Sequence, residues 1–337
     1  MKDEQKVKKI LKQKNVKDEI IGKTIFFIDE LEKEVLKSDK TLESCPSDIV
    51  EKFIEQKLLI KSNEDKNDIE QIIIAFARYF IFIKNNEVAI KLLTYLSANE
   101  VMPNLKERIY EVLGQKIGDK VLYGISFPES FSPVEKYPEV TAKIVQSLEK
   151  NIGKEKAKEV LTCNVHKIPT SAFSKEREYF LEAKSLQDWL DGFHNRKIEE
   201  ISKHSKDKTL WFEQEITEEV VEFVKNKPEI LGAIIEDGYL YATKIPYNPA
   251  KYISAKTDFE KRKYACHCPV AASSLKENQN GVSPLWCYCS AGFEKLLFDT
   301  VFGCDVKVEV VESVLAGDLR CRFKIEIPEI IKTRFNI

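Results

Sequence analysis

Between residues 6 and 116 the apolar positions recur at helical spacing and nowhere alternate as in a strand. Ile20, Ile21, Ile25, Ile28 and Leu31 share one helix face, Val50, Phe53, Ile54 and Leu58 a second, and Ile73, Phe76, Ala77 and Phe80 a third. Ser47 and Asp68 are placed to cap two of these helices, and further helices are expected over 87–98 and 105–113. Together they predict a helical bundle or short array over residues 1–117. Around Gly118 the texture changes: Tyr123, Gly124, Phe127, Pro128, Phe131, Pro133 and Pro138 make a loop-rich passage, and the domain boundary is placed there.

The second domain, 118–337, mixes both periodicities. Helices are expected over 139–152, 154–161, 185–204, 217–225 and 290–302. Residues 233–245 read as two strands joined at Asp237-Gly238, a pair of residues that tolerates the left-handed backbone of a two-residue hairpin. A second hairpin is expected from 306–315 and 319–327, with Gly317-Asp318 at its tip. The pattern therefore predicts an α+β protein, an N-terminal all-helical domain followed by an α/β domain with an antiparallel sheet covered by helices.

The cysteines change the picture. Six of the eight, Cys266, Cys268, Cys287, Cys289, Cys304 and Cys321, fall within residues 264–328. In an extended strand residues i and i+2 lie on one face about 6.6 Å apart, and sulfurs on tetrahedral zinc sit roughly 3.8 Å apart, so rotation can aim both thiols of a Cys-x-Cys pair at one ion. On a helix the same pair diverges by about 200°. A metal reading thus requires Cys266-His267-Cys268 and Cys287-Tyr288-Cys289 to be extended or turning, with Pro269 and Pro284 favouring that. Cys163 and His166 form a Cys-x-x-His pair that is either a further metal pair or structural. Cys287 and Cys289 also precede an expected helix, whose N-terminal dipole would lower a thiol pKa and suit a nucleophile. Ordinary packing is the third reading, since free cysteine is among the most buried residue types. Asp188, Asp191, His194 and Glu199 on one helix form a reserve acid/base site.

Composition excludes several classes. Fifty-three Lys and Arg against 55 Asp and Glu leave no unopposed basic block, so nucleic acid has no electrostatic footprint, and the 47–62 segment is not read as a DNA-recognition helix. The N-terminus lacks the apolar segment of a signal peptide, and the longest apolar run, 72–83, is broken by Arg78. The expectation is a cytoplasmic protein that is no membrane partner and keeps its thiols reduced. Phosphate-binding glycine loops, zinc-protease motifs and serine-hydrolase elbows are absent.

The combination CHCP, WCYCSAGFEK and VEVVESVLAGDLRCRFKIEIP resembles the C-terminal part of the L-2-amino-thiazoline-4-carboxylic acid hydrolase-like family, and more distantly the 4-vinyl reductase domain of ligand sensors. The resemblance runs from about Tyr264 onward. It implies a 4-vinyl reductase-like fold and, for sensor members, zinc held by cysteines before a helix and around a closing hairpin. Cys287 and Cys321 match that arrangement, and Ser313 stands where another cysteine is expected, so Cys289, Cys266 or Cys268 would complete the set. Two functions follow. One is a small-molecule pocket with a structural zinc held by Cys266, Cys268, Cys287 and Cys289, with Cys321, Cys163, His166 and His267 as further candidate ligands. The other is hydrolysis of a C–N or C–S bond in a small cyclic substrate of thiazoline-carboxylate type, by Cys287 or Cys289 or by metal-bound water. The expected partners are a small-molecule ligand and, through the helical domain, a second copy of the chain in a homodimer.

Overall fold

A computed structural model describes residues 4–59, 65–276 and 281–337. The fold is α+β, with helices alone in the N-terminal part and one small antiparallel sheet in the C-terminal part. Two compact units divide the chain at Asn99/Glu100, and residues 129–133 return to the first. The composition had put the change at 117/118.

In the first unit α1 (Glu4–Gln13), α2 (Asp18–Leu36), α3 (Ser47–Phe53) and α4 (Lys66–Phe82) precede α5 (Asn86–Leu122). The three apolar stripes are its core: Ile28, Leu31, Val35, Ile72, Ile73, Phe76 and Phe80 are fully buried. Each such side chain contributes about 1.5–3 kcal/mol of apolar burial. The caps differ from expectation. Asp65, not Asp68, caps α4 by accepting the Asp68 N–H at 2.9 Å, and Ser47 lies inside α3, donating to Glu87 at 2.8 Å. A π-helical turn, Ile54–Leu59, continues α3; the end of that expected helix, 60–62, lies outside the described residues. The expected break near Pro103 does not occur. Helix α5 passes through it and bends instead at Gly114, where φ is 71°.

The second unit holds α6 (Tyr137–Ile152), α7 (Lys154–Leu161), α8 (Ser174–Glu182), α9 (Leu186–Asp207), α10 (Glu218–Lys225), α11 (Pro249–Ser254), α12 (Asp258–Ala265), α13 (Tyr288–Phe302) and α14 (Glu329–Phe335). Its strands are β1 (Ile234–Glu236), β2 (Tyr239–Thr243), β3 (Val308–Glu312) and β4 (Arg322–Glu326), all antiparallel, in the order β1-β2-β4-β3. Asp237 and Gly238 both have positive φ, 50° and 77°, as the two-residue hairpin requires. In register, Leu240 faces Ile325 and Ala242 faces Phe323. These four are buried on one sheet face, and α13 packs against β3 and β4. On the other face Arg322 and Lys324 lie over the rings of Tyr241 and Tyr239, 4.2 and 3.6 Å from their centroids. Glu229 ties this edge down by accepting from both Arg320 and Arg322. Behind α13, Phe180, Trp189, Phe298 and Phe302 form a buried aromatic cluster. Among the described residues no helix is long and apolar enough to cross a membrane.

Candidate functional site

Three segments converge at one end of the buried sheet face. The first is the sheet itself. Alternation along β2 continues Leu240 and Ala242 with Lys244, and the Lys244 N–H donates to the Cys321 carbonyl at 3.0 Å, extending the β2–β4 ladder by one pair. Lys244 and Cys321 therefore lie across from one another at the end of an otherwise apolar row. The second segment is α13. On it Glu294 falls three residues after Ala291 and four before Phe298, inside the stripe that faces inward. Cys289 sits in the helix's first turn. The third segment follows α12, which a Thr257–Glu260 capping box starts and which stops at Cys266, where the backbone turns extended. Pro269 and a turn closed by the Ala272 N–H on the Cys268 carbonyl (2.9 Å) then hold Cys268 in place.

Local bonds fix several of these side chains. The buried Trp286 indole N–H donates to Cys268 Sγ at 3.0 Å. His267 Nε2 donates to the Ile245 carbonyl, leaving Nδ1 as an acceptor, and its ring meets Tyr247 edge-on at 5.4 Å. Lys244 Nζ lies 4.9 Å from the Phe293 ring centre. His166, His267, Cys268, Cys289, Glu294 and Cys321 are all within electrostatic reach of Lys244. Cys268, Cys289, Cys321, both histidines and Glu294 are partly rather than fully buried.

The electrostatics follow from that enclosure. Burial pushes the thiols of Cys266, Cys268, Cys287, Cys289 and Cys321 up, and Cys163 to about 11. The expectation that the helix dipole lowers Cys287 and Cys289 is therefore reversed: a dipole contributes about 0.3–1 kcal/mol near an exposed helix end, whereas burial can move a pKa by up to roughly 3–5 units. Burial, with Lys244 in second place, also lowers His166 and takes His267 down to about 3. Glu294 moves the other way, its carboxyl raised by burial against the pull of Lys244.

The metal expectation met a mixed geometry. Cys266-His267-Cys268 is extended, as that reading required. Cys287-Tyr288-Cys289 is not: Cys287 ends a 3-10 turn, Pro284–Cys287, and Tyr288 begins α13, so the two thiols leave in different directions. Cys287 turns to Ser313 and Cys321, Cys289 to Cys268 and Cys163. Pro284 begins that turn instead of preventing it, because proline suits the first position of a helix. Among the described residues no three His, Cys, Asp or Glu side chains are arranged to hold a metal ion, so they do not fit a zinc centre as they stand. All eight cysteines are free thiols. Cys304 lies apart, near Arg177, Lys295 and Asp305, and Cys45 is buried in the first unit with its thiol donating to the Leu42 carbonyl. In the reserve site His194 is buried and Asp191 is exposed and bound to Gln187, so they make no acid/base pair.

Cys163 neighbours Cys289 and also lines a surface pocket of about 420 Å³ with Arg108, Glu111, Asn164 and Lys295 among others. Gly292 lets α13 approach the Cys163 backbone closely: a Cβ there would sit 2.5 Å from the Cys163 carbonyl oxygen. Lys244 and Glu294 are the site residues that reasoning on cysteines passed over. Both had a signal, a charge at a position where the strand or helix pattern calls for an apolar side chain.

Residues 248–332 match the model of a family of unknown function, DUF6144. The matched stretch includes Cys266, His267, Cys268, Cys287, Cys289, Glu294 and Cys321, and stops short of Lys244, His166 and Cys163. No curated protein and no solved structure matches the chain.

Proposed function

We propose that a polar hollow lies between the β2–β4 face, α13 and the Cys266–Cys268 turn and that the C-terminal unit binds a small molecule there, in a cytoplasmic protein whose thiols stay reduced. The observation that carries this reading is the convergence there of Lys244 and Glu294. Among the described residues neither side chain makes an ion pair, and burial raises the Glu294 carboxyl against the pull of Lys244, a polar group that is costly to enclose without a partner. Groups held in this way suit a ligand that supplies the missing partners. The thiols serve as soft, neutral walls in this reading, since burial holds them in the protonated form, and a thiolate nucleophile for hydrolysis has no support from that environment.

The test is access. Methyl methanethiosulfonate, a small neutral thiol reagent, is added to the folded protein at pH 8 and the modified sites are mapped by peptide mass spectrometry. Cys268, Cys289 and Cys321, which face the hollow, are expected to react in the native state, while the more tightly buried Cys266 and Cys287 react only after unfolding. Because only the thiolate reacts and burial holds all five thiols protonated, labelling is followed from pH 8 to pH 10, and Cys268, Cys289 and Cys321 labelling no faster than Cys266 and Cys287 in the native state at every pH would mean that nothing small enters, and the proposal would fail.

A further inference from the structure

The surface pocket of about 420 Å³ lies between α5, the turn after α7 and α13, all in the second unit. Its volume falls within the range of about 300–1,000 Å³ common to small-molecule sites. The walls are fixed to one another. Asn104 on α5 donates to the Val165 carbonyl at 2.6 Å, Lys167 reaches back to Glu107 at 2.6 Å, and Gly292 seats α13 against the Cys163 backbone. Two of the three cations that line the pocket are engaged, Lys167 with Glu107 and Lys295 with Asp299 (2.7 and 2.8 Å) and Asp305. Arg108 is the exception. Among the described residues it makes no hydrogen bond: its enclosed Nε has no acceptor, and Nη1 stands 3.8 Å from Glu111 Oε2, beyond hydrogen-bond length. Glu111 has no closer partner among the described residues.

We infer that this pocket binds a guanine-type purine, as the free base or the nucleoside. The Arg108 side chain is 35% exposed although Nε is enclosed, so its open part is the guanidinium end that faces the pocket. A guanidinium fork donates two parallel hydrogen bonds and is matched by two acceptors side by side in one plane, which O6 and N7 of guanine provide. The next edge of the same ring carries N1–H and the N2 amino group, donors suited to a carboxylate. Glu111 follows Arg108 by three residues on α5, so both groups stand on one helix face and a single ring can meet both. Adenine places an amino group where guanine has O6, which sets donor against donor. The lining also selects against an anion. Four carboxylates, Glu107, Glu111, Asp299 and Asp305, outnumber the three cations, so an added phosphate or carboxylate meets like charge where a neutral base does not.

Isothermal titration calorimetry of the full chain with guanosine, 7-deazaguanosine, adenosine and guanosine monophosphate tests this. Guanosine is expected to saturate one site. Adenosine, and 7-deazaguanosine, which lacks the N7 acceptor, should bind about tenfold more weakly or worse. The monophosphate should bind no more tightly than the nucleoside. Arg108→Met should weaken guanosine by about tenfold or more while circular dichroism shows the same helicity and melting temperature. Absence of saturable guanosine binding by the wild-type protein overturns the inference. So does equal affinity for guanosine and 7-deazaguanosine, or guanosine affinity unchanged in a folded Arg108→Met protein. Tighter binding of the monophosphate would refute the neutral ligand class. The wild-type comparisons hold whether or not the variant folds, and none of these results bears on thiol labelling in the hollow.

Discussion

Replacing Gly292 with alanine should force α13 away from the Cys163 backbone and destabilise the C-terminal unit. An added Cβ would lie 2.5 Å from the Cys163 carbonyl oxygen, 3.0 Å from its carbonyl carbon and closer still to its nitrogen, where ordinary contact begins near 3.4 Å. The shortfall to the oxygen is about 0.9 Å (3.4 − 2.5). The opposing atoms are backbone and cannot rotate aside. They belong to a turn held by the Cys163 N–H on the Leu161 carbonyl (2.9 Å) and by Asn164, whose side chain bonds both the N–H (2.9 Å) and the carbonyl (2.7 Å) of Ile168. Overpacking of this kind costs about 1–3 kcal/mol, here towards the upper end, and alanine's better helix propensity returns about 0.8–1 kcal/mol. The net expectation is a loss of about 2 kcal/mol, a shift of the urea midpoint of about 1 M. Tryptophan fluorescence reads the right unit, because Trp189, Trp211 and Trp286 all lie in it. Gly22→Ala is the control. It sits in the interior of α2 with nothing within 4 Å of the new methyl, so helicity followed by circular dichroism should show a gain of about 0.5–1 kcal/mol in the first unit. A Gly292→Ala midpoint equal to wild type would refute the claimed close approach.

Acid should weaken the C-terminal unit through its enclosed histidines. The folded pKa values of His194 and His267 lie below the unfolded value near 6.5, so their contribution is fully present above that pH and is lost as pH falls towards the folded value, about 3 for His267. The slope is about 1.4 kcal/mol per pH unit for each, and His267→Gln should flatten it by roughly 1 kcal/mol per unit between pH 6 and 5 in urea titrations; an unchanged slope would contradict the assignment. Glu229→Ala removes the acceptor shared by Arg320 and Arg322 and is expected to cost about 1.5–3 kcal/mol, with Arg322 keeping Glu236 at 2.9 Å; a midpoint within experimental error of wild type would rule that network out as a stabilising element. Dialysis against a chelator should leave the melting temperature unchanged, since no three ligating side chains converge among the described residues. A fall of several degrees reversed by zinc would show that the thiols assemble a site on binding.

Much of the fold could be read from the sequence because its signals are local. The stripes around Ile28, Val50 and Phe76 each specify a helix face from residues within a few turns. Asp237-Gly238 specifies a hairpin because few pairs accept two left-handed residues. The density of thiols between residues 264 and 328 marked the region of the candidate site. What the sequence could not decide were competitions between a local preference and the packing around it. Pro103 forfeits a helical hydrogen bond, yet α5 continues through it because Val101, Met102 and Leu105 on either side are buried. The spacing of Cys287 and Cys289 suits a strand, but Cys287 closes the 3-10 turn that leads into α13 and Cys289 lies in the first turn of that helix, whose Ala291, Phe298 and Val301 must cover the sheet. The dipole at that helix start was legible and its direction correct, but only the tertiary structure shows how deeply the thiols are enclosed, and desolvation is the larger effect. Lys244 and Glu294 were each visible as a charge in an apolar row. That they come near one another depends on the pairing of β2 with β4 and on α13 packing against β3 and β4, contacts between residues far apart in the chain that no local pattern encodes.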